Sequence, residues 1–260
     1  MPYVANGDIK LYYEVEGQGL PIFLHTGGGG DGSMWRDGGY VAGLDGYQRI
    51  LFDHRGHGRS EKPTAPGGYH IDRHVSDVVA LLDALDLPRA VYWGYSGGAS
   101  VGFALAAAYP ERVAAFIASG AISDPQEPAL ASLEDAEALS RGVRSEGMEF
   151  LVRGYESEGE PMTPWFRKQM LDTDPDVFAR QLSGFAEWPG PWPLLQRITC
   201  PTLMLVGQRE DPDGYNPLAA AQMAHARCVT FPGLGHITAY ERSDLALAYA
   251  VPFLRALHLS

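Results

Sequence analysis

One stretch decides the fold of this chain: Val91-Tyr92-Trp93-Gly94-Tyr95-Ser96-Gly97-Gly98-Ala99-Ser100. Its β-branched and aromatic beginning predicts a buried strand, and the small residues that continue to Tyr109 predict a helix. Ser96 lies at the turn between them, inside a Gly-x-Ser-x-Gly pattern. A serine raised on such a sharp turn needs neighbours without Cβ atoms, because the strand and the helix approach each other closely there. Ser96 is therefore a candidate nucleophile.

Composition and charge narrow the class of protein. The 260 residues are 45% hydrophobic and 20% charged, which fits one large α/β domain with a substantial core. A net charge of −12 argues against a nucleic-acid partner and against an anionic membrane surface. We find no signal segment at the N-terminus and no apolar run of transmembrane length, so we expect a cytoplasmic protein with no membrane partner. The sequence leaves the oligomeric state open, with a homo-oligomer as one alternative.

The cysteines and the motifs give no sign of a metal or cofactor. Cys200 and Cys228 lack the spacing of a metal site, and both lie in or beside apolar runs, so free thiols are expected. Asp53, His54 and His57 stand close together in sequence, but we interpret their turn as a structural corner. The expected cofactor is none and the expected metal is none.

Apolar runs alternate with helical patterns along most of the chain. This alternation predicts a mostly parallel sheet with helices on both faces. Ile9–Glu16 alternates apolar and polar residues and is predicted to be an edge strand in a hairpin. The further predicted strands are Pro21–His25, Gln48–Phe52, Ala90–Gly94, Arg112–Ala118, Pro201–Gly207 and Cys228–Phe231.

The alternation stops between about Ser123 and Leu195, where prolines separate helical pieces such as Ala129–Arg144. A structureless loop of that length would be unusual in a compact domain, so a helical insertion between two late strands is predicted. The expected organisation is a core of residues 1–122 and 196–260 with a helical insertion at 123–195.

A nucleophilic serine needs a base and usually an acid that orients the base. His236 ends the Gly-rich loop after the last predicted strand, at the sheet edge where Ser96 is expected. Glu210 and Asp211 follow the strand that ends at Gly207, with Asp213 close behind. Asp124 is a further candidate acid. The acid is therefore expected in the Glu210–Asp213 loop, with its identity open.

Stabilising an oxyanion takes two backbone N–H donors aimed at one point. The residue after the nucleophile, Gly97, is one candidate. The other should come from the Gly-rich loop that follows the early strand, His25-Thr26-Gly27-Gly28-Gly29-Gly30, since glycines let the backbone reach a substrate without obstruction.

Taken together, the chain resembles the α/β-hydrolase superfamily over nearly all its length. Four segments match the family's motifs in order: His25-Thr26-Gly27-Gly28, the Asp-x-Arg-Gly-x-Gly-x-Ser turn of Asp53–Ser60, Gly94–Gly98, and Gly233-Leu234-Gly235-His236. The resemblance implies Ser96 as nucleophile, His236 as base, and the N–H groups of Gly27 and Gly97 as the oxyanion hole. Thr26 departs from the pattern, because the family usually has Gly there.

The family's acid loop usually has the form Gly-x-x-Asp. In frame, the acid of this chain is Glu210; with a one-residue insertion it is Asp211, which keeps the frequent following proline, Pro212. Asp211 is slightly favoured because aspartate is the commoner partner of the catalytic histidine, and Glu210 is almost as strong a candidate.

The resemblance also implies that the insertion is a helical cap over the active site. The insertion is rich in aromatics, and some of them are expected to line an apolar pocket above Ser96. The expected pocket residues are Met34, Trp35, Tyr95, Trp165 and Trp188.

The implied function is a serine hydrolase that cleaves a carboxylic ester, thioester or lactone of a small, mainly apolar acyl substrate through an acyl-enzyme on Ser96. Carbon–carbon bond hydrolysis and cofactor-free perhydrolysis use the same triad and remain alternatives. A non-catalytic ligand-binding protein on this scaffold is a third. Epoxide hydrolase and haloalkane dehalogenase chemistry are disfavoured, since those relatives place an aspartate where Ser96 stands.

Overall fold

A computed structural model describes residues 2–7, 9–120 and 133–257, and within them eight strands form one sheet. The strands are β1 (Tyr3–Asn6), β2 (Ile9–Glu16), β3 (Pro21–His25), β4 (Gln48–Phe52), β5 (Ala90–Tyr95), β6 (Val113–Ser119), β7 (Thr202–Gly207) and β8 (Ala226–Phe231). Their order in the sheet is β1-β2-β4-β3-β5-β6-β7-β8. The mostly parallel α/β sheet expected from the sequence is confirmed.

The two ends of the sheet differ. β1 and β2 form an antiparallel hairpin, and β2 also pairs antiparallel with β4, whereas all later pairs are parallel. Ile9–Glu16, predicted as the edge strand, lies one position inside the edge because β1 covers it. In the parallel part, Tyr95 pairs with Ser119 and Gly207 with Phe231, so the carboxyl ends of β5 to β8 meet at one edge.

Helices cover both faces of this sheet. They are α1 (Met34–Asp37), α2 (Tyr40–Gly43), α3 (Ile71–Ala84), α4 (Gly97–Ala108), α5 (Leu133–Glu146), α6 (Glu149–Ser157), α7 (Pro164–Asp172), α8 (Pro175–Ala186), α9 (Tyr215–Ala220), α10 (His236–Tyr240) and α11 (Ser243–Arg255). Two hydrophobic cores result, one containing Phe23, Tyr92 and Phe116 and the other containing Leu24, Trp93 and Ile117. Neighbouring residues of β3, β5 and β6 thus supply opposite faces, as the alternation of side chains along a strand requires.

Among the described residues between β6 and β7 there are four α-helices, α5 to α8, and we call them the inserted helices. The predicted starting point at Ser123, the candidate acid Asp124 and the first residues of the helix predicted from Ala129 fall outside the described residues. From Leu133 onward the helix continues to Glu146, two residues beyond its predicted end. Asp174 begins α8 as its N-cap, with Oδ1 accepting from the backbone N–H of Asp176 at 3.0 Å.

The turn at Asp53–Ser60 is built around buried polar contacts. Arg55 donates two hydrogen bonds of 2.7 Å to Asp77 on α3, and their side chains are 5% and 1% exposed. Asp53 accepts from the backbone N–H of Gly32 at 3.0 Å and of Arg59 at 2.8 Å. The described residues contain no group of three or more His, Cys, Asp or Glu that could hold a metal ion.

Both cysteines, Cys200 and Cys228, are free thiols, and burial raises the pKa of each to about 11.

Within the described ranges, no helix is both long and apolar enough to span a bilayer.

The Arg55–Asp77 pair generates a stability prediction. Arg55→Leu leaves the Asp77 carboxylate buried without its cation, so the free energy of unfolding in urea should fall by about 3–5 kcal/mol. The matched control is Arg242→Leu, which removes a pair with Asp244 whose side chains are both largely exposed. The control should leave the unfolding midpoint unchanged. Equal midpoints for the two variants would contradict the structural role of the corner.

Candidate active site

Ser96 sits between the end of β5 and the start of α4 in a strained conformation, with φ of +54° and ψ of −120°. A positive φ is costly for a residue with a Cβ and persists only where the surroundings enforce it. Here the backbone on both sides is tied down. The N–H of Ser96 donates to the Ser119 carbonyl at 2.8 Å, and its own carbonyl accepts from the N–H of Ala99 at 2.9 Å. Its hydroxyl is thereby presented at the carboxyl edge of the sheet.

The glycines of the Gly-x-Ser-x-Gly pattern make this turn possible. A Cβ on Gly98 would clash with the backbone carbonyl oxygens of His25 and Thr26, and a Cβ on Gly94 would clash with the carbonyl of Gly98. Strand β3, strand β5 and helix α4 therefore approach more closely than any side chain would permit. This is the physical reason for glycine at both positions.

His236 begins α10 and faces Ser96. Its Nε2 lies 3.0 Å from Ser96 Oγ, and its Nδ1 lies 2.6 Å from Glu210 Oε2. The other oxygen of Glu210 accepts from the N–H of Gly207 at 2.7 Å, which holds the carboxylate against the end of β7. A hydroxyl, an imidazole and a carboxylate thus form one hydrogen-bonded chain, the arrangement that activates a serine.

Asp211, the slightly favoured acid of the sequence analysis, lies elsewhere. Its carboxylate accepts from the backbone N–H groups of Tyr215 at 2.7 Å and Asn216 at 3.1 Å, at the beginning of α9. The structure therefore brings Glu210 to His236 and not Asp211. The loop follows the uninterrupted frame from Gly207, and the turn that lets Glu210 accept from the Gly207 N–H leaves Asp211 pointing towards α9.

The surroundings of His236 favour its protonated form. Burial is the largest single effect and lowers its pKa, but the charge and hydrogen bond of Glu210, with the charge of Glu160, raise the pKa above the ordinary 6.5. Tyr95 stacks on the imidazole with ring centroids 5.0 Å apart, and its hydroxyl donates to the His236 carbonyl at 3.3 Å. Tyr155 of α6 lies nearly parallel to the same ring at 6.4 Å.

Glu160, between α6 and α7, is a residue that the sequence analysis missed. Its Oε2 accepts from the backbone N–H groups of Ile237 and Thr238, both at 3.0 Å, and Arg209 pairs with its other oxygen. A carboxylate at a helix N-terminus satisfies free N–H donors and interacts favourably with the helix dipole. Glu160 therefore holds the first turn of α10, on which His236 lies. No local motif reveals this, because 77 residues separate Glu160 from Ile237.

The predicted oxyanion-hole residues gather around Ser96. A Cβ on Gly27 would lie 3.3 Å from Ser96 Oγ, so this glycine packs directly against the serine. Gly97 is the first residue of α4, where N–H groups have no partner within the helix. The backbone nitrogen of Gly28, in the same loop, lies 3.8 Å from the point that a Gly97 Cβ would occupy, so it is a second candidate donor from this loop. His57 Nε2 donates to the Gly28 carbonyl at 2.8 Å and fixes the loop.

Thr26, which stands where the resemblance leads one to expect glycine, connects the loop to a group of buried histidines. Its Oγ1 lies 3.2 Å from Nδ1 of His54. Burial lowers the pKa of His54 and of His74 well below the ordinary value, and it lowers that of His25 to about 3. These imidazoles are therefore neutral, and they support the loop from behind Ser96.

A cavity of about 120 Å³ opens above Ser96. Met34 and Tyr95 line it as predicted, but Trp35, Trp165 and Trp188 do not. Trp35 is fully buried beside Tyr40 and Trp93, Trp165 packs against Phe166 and Tyr240, and Trp188 belongs to the core on the other face of the sheet. The inserted helices supply most of the wall instead, through Leu139, Leu151, Tyr155, Phe166, Met170, Phe178, Gln181, Leu182 and Phe185.

Known proteins resemble this chain in sequence and in fold. A family model described as the alpha/beta hydrolase fold matches residues 21–145. The chain is 28% identical to 3-oxoadipate enol-lactonase 2 of Acinetobacter baylyi, over 78% of this chain and 77% of that protein. A thermophilic esterase from Thermogutta terrifontis has a similar structure, with a TM-score of 0.82, 27% identity, and coverage of 98% of this chain and 97% of that one.

A higher local identity is found to a putative carbamate hydrolase, RutD, of Azorhizobium caulinodans. It reaches 40% over 114 residues, but it spans only 44% of this chain and 42% of that protein. The likeness to RutD therefore concerns under half of either chain.

The two neighbouring acids generate a first prediction about the site. Glu210→Gln should slow the labelling of Ser96 by a fluorophosphonate about 10³-fold or more, because the imidazole loses its orienting carboxylate. Asp211→Asn should leave the labelling rate within a few-fold, since its contacts are with α9. Mass spectrometry of the labelled protein measures both rates. The reverse ranking of the two variants would assign the acid to Asp211.

The charges around His236 generate a pH prediction. Only neutral imidazole accepts the serine proton, and the pKa of His236 is raised. The labelling rate should therefore rise with pH and reach half its maximum above pH 6.5. Glu160→Gln removes one of the charges that raise this pKa but keeps a hydrogen-bond acceptor, so the midpoint should move to lower pH. A wild-type midpoint below 6.5, or an upward shift in the variant, would refute this electrostatic account.

Proposed function

Because this chain is an enzyme of the α/β-hydrolase superfamily, we propose that it is a serine hydrolase that cleaves a carboxylic ester, thioester or lactone through an acyl-enzyme on Ser96. One observation carries the proposal. The hydroxyl of Ser96, the imidazole of His236 and the carboxylate of Glu210 are joined at 3.0 and 2.6 Å, and the hydroxyl opens into an apolar cavity.

The proposed reaction begins with transfer of the Ser96 proton to Nε2 of His236 as Oγ attacks the carbonyl carbon. The carbonyl oxygen becomes an oxyanion, which accepts from the N–H of Gly97 and from an N–H of the Gly27–Gly28 segment. Glu210 accepts the Nδ1 hydrogen throughout and stabilises the imidazolium that forms.

The second half of the proposed reaction reverses these roles. His236 gives its proton to the leaving oxygen or sulfur, and the carbon–oxygen or carbon–sulfur bond breaks. His236 then takes a proton from water, which attacks the acyl-enzyme carbonyl. Collapse of this second intermediate returns the proton to Ser96 and releases the carboxylic acid.

The cavity supports a small and mainly apolar acyl group. Its volume of about 120 Å³ compares with the roughly 150 Å³ cavity that accommodates benzene in an engineered core. Acyl groups of up to about six carbons are therefore expected to fit. The named relatives, an esterase and an enol-lactonase, support ester and lactone substrates of small size.

We also propose that residues 123–195 form a cap over Ser96 on a core of 1–122 and 196–260. This is supported by contacts between the inserted helices and the rest of the chain. Gln169 Nε2 donates to Ser33 Oγ at 2.6 Å, and Lys62 pairs with Asp174 at 3.0 Å. A cytoplasmic location and the lack of a metal or cofactor requirement stay predictions of the sequence, which leaves the oligomeric state open.

A panel of p-nitrophenyl esters with acyl chains of two to twelve carbons tests the function. The wild type should hydrolyse the short esters best, and Ser96→Ala should lower kcat on them by three or more orders of magnitude. Ser100→Ala is the matched control, because this serine lies on α4, the helix that begins directly after Ser96, is buried, and has a hydroxyl without a hydrogen-bond partner in the described part of the chain. The control should retain wild-type turnover.

Other outcomes separate the alternatives. Steadily rising kcat/KM up to twelve carbons would contradict the small pocket. If fluorophosphonate labels Ser96 but no ester is hydrolysed, the activated serine serves another reaction, such as carbon–carbon hydrolysis or perhydrolysis. If neither labelling nor hydrolysis occurs, the chain is a ligand-binding protein.

A further inference from the structure

Gln181, on the inserted helix α8, places a polar group beside the nucleophile that the proposed reaction does not use. Its side chain lines the cavity, and the residue is 5% exposed. Its Nε2 lies 3.8 Å from the position of a Gly97 Cβ, and its Oε1 lies 3.3 Å from the position of a Gly28 Cβ. The amide therefore stands next to both segments that supply candidate oxyanion donors.

The amide lies on an otherwise apolar wall. The other residues of α8 that line the cavity are Phe178, Leu182 and Phe185. Phe178 approaches the Gly28 position at 3.1 Å, and Phe185 approaches the Gly97 position at 3.3 Å. Gly97 leaves room for the amide, since a side chain at that residue would point towards it. One amide is thus enclosed by aromatic rings at the reacting end of the pocket.

The hydrogen bonding of this amide is incomplete. Oε1 has no hydrogen-bond partner among the described residues, although it is shielded from solvent. Buried polar atoms are nearly always paired, and an unpaired one costs about 1–3 kcal/mol. Contacts within the described part of the chain therefore do not satisfy this amide, and its position on the cavity wall leaves it available to a ligand.

The two ends of the amide face different backbone segments. Nε2, with its two N–H donors, is the end nearer Gly97, whereas Oε1 is the end nearer Gly28. Gly97 directly follows Ser96 in the chain, so the N–H donors lie on the side of the nucleophile.

The position of the Gln181 amide relative to His236 indicates which part of the substrate its N–H donors contact. The leaving group must lie on the His236 side of Ser96, because His236 protonates it. The backbone N–H groups of Gly97 and the Gly27–Gly28 segment take the oxyanion. The third substituent of the carbonyl carbon is the acyl chain, which must enter the cavity lined by α8, so its first carbon is the part of the substrate nearest the Gln181 amide.

We propose that Gln181 is a specificity-determining residue whose Nε2 donates a hydrogen bond to an oxygen on the acyl carbon next to the scissile carbonyl. This inference rests on the proposed function. The preferred substrates are then esters, thioesters or lactones whose short acyl group carries an ether, hydroxyl or keto oxygen at that carbon. The rest of the acyl group is apolar and fills the space between the aromatic rings.

A matched pair of substrates tests this: p-nitrophenyl methoxyacetate and p-nitrophenyl butanoate. Their acyl groups have the same number of heavy atoms and differ by one oxygen in place of a methylene. Gln181→Met keeps the side-chain length and removes the donors. It should lower the ratio of kcat/KM for methoxyacetate to kcat/KM for butanoate about tenfold relative to wild type, the loss expected for one buried hydrogen bond.

Gln169→Met is the control, because Gln169 lies on the neighbouring helix α7 and donates to Ser33 instead of lining the cavity. Its substrate ratio should equal that of the wild type. Gln181→Leu is a second apolar variant for the case that the methionine does not fold, and thermal unfolding together with fluorophosphonate labelling verifies each variant.

Two results would overturn the inference. An unchanged ratio in both Gln181 variants would show that the amide does not contact an acyl oxygen. Equal losses on both esters would show that it acts on the carbonyl itself or on the fold. Failure of the proposed function is distinguishable, because the wild type would then hydrolyse neither ester and Ser96 would not be labelled.

Discussion

The rest of the site depends on the close approach of three backbone segments beneath Ser96. Helix α4 can start directly behind β5 and against β3 only because Gly94 and Gly98 lack side chains. This contact holds Ser96 at a φ of +54°, a conformation that a free chain would leave. The register of the parallel strands extends this alignment across the sheet, since Tyr95 pairs with Ser119 and Ser119 with Leu205. The same register positions the loops after β7 and β8, which bear Glu210 and His236, relative to Ser96.

The electrostatic surroundings of His236 differ from those of the other buried histidines near Ser96. His25, His54, His57 and His74 are buried with no carboxylate as the main influence, so burial lowers the pKa of each. They remain neutral and act as hydrogen-bonding and packing groups behind the oxyanion loop. His236 is also enclosed, but Glu210 and Glu160 raise its pKa. The same side chain is therefore held neutral in four places and has a raised pKa in a fifth, and the difference lies in two carboxylates.

The parts of the site that could be predicted from the sequence are those fixed by local backbone geometry. Ser96 and His236 follow strands in glycine-rich turns, so their position at the sheet edge follows from the strand pattern alone. Choosing between Glu210 and Asp211 requires the direction of each side chain in one turn, which neighbouring residues in space decide. Trp35, Trp165 and Trp188 have the size expected of pocket residues. Trp35 and Trp188 are buried elsewhere and Trp165 is half-buried against Phe166 and Tyr240, whereas Phe178 and Gln181 of α8 line the cavity. Which side chains face the cavity depends on tertiary packing that periodicity does not encode.

The groups around Ser96 come from two parts of the chain, the ends of the strands and the inserted helices, and Glu160 connects the two. The hydroxyl, the imidazole and the acid all stand at the ends of strands, whereas most of the cavity wall stands on the inserted helices. Glu160 crosses this division, because it belongs to the inserted segment and yet accepts from the N–H groups of Ile237 and Thr238 and raises the pKa of His236. Any displacement of the insertion that widens the cavity would also withdraw Glu160 from α10. His236 would then lose both a charge that favours its protonation and the contact that holds its helix. The shape of the cavity and the pKa of His236 therefore both depend on how the inserted segment packs against α10.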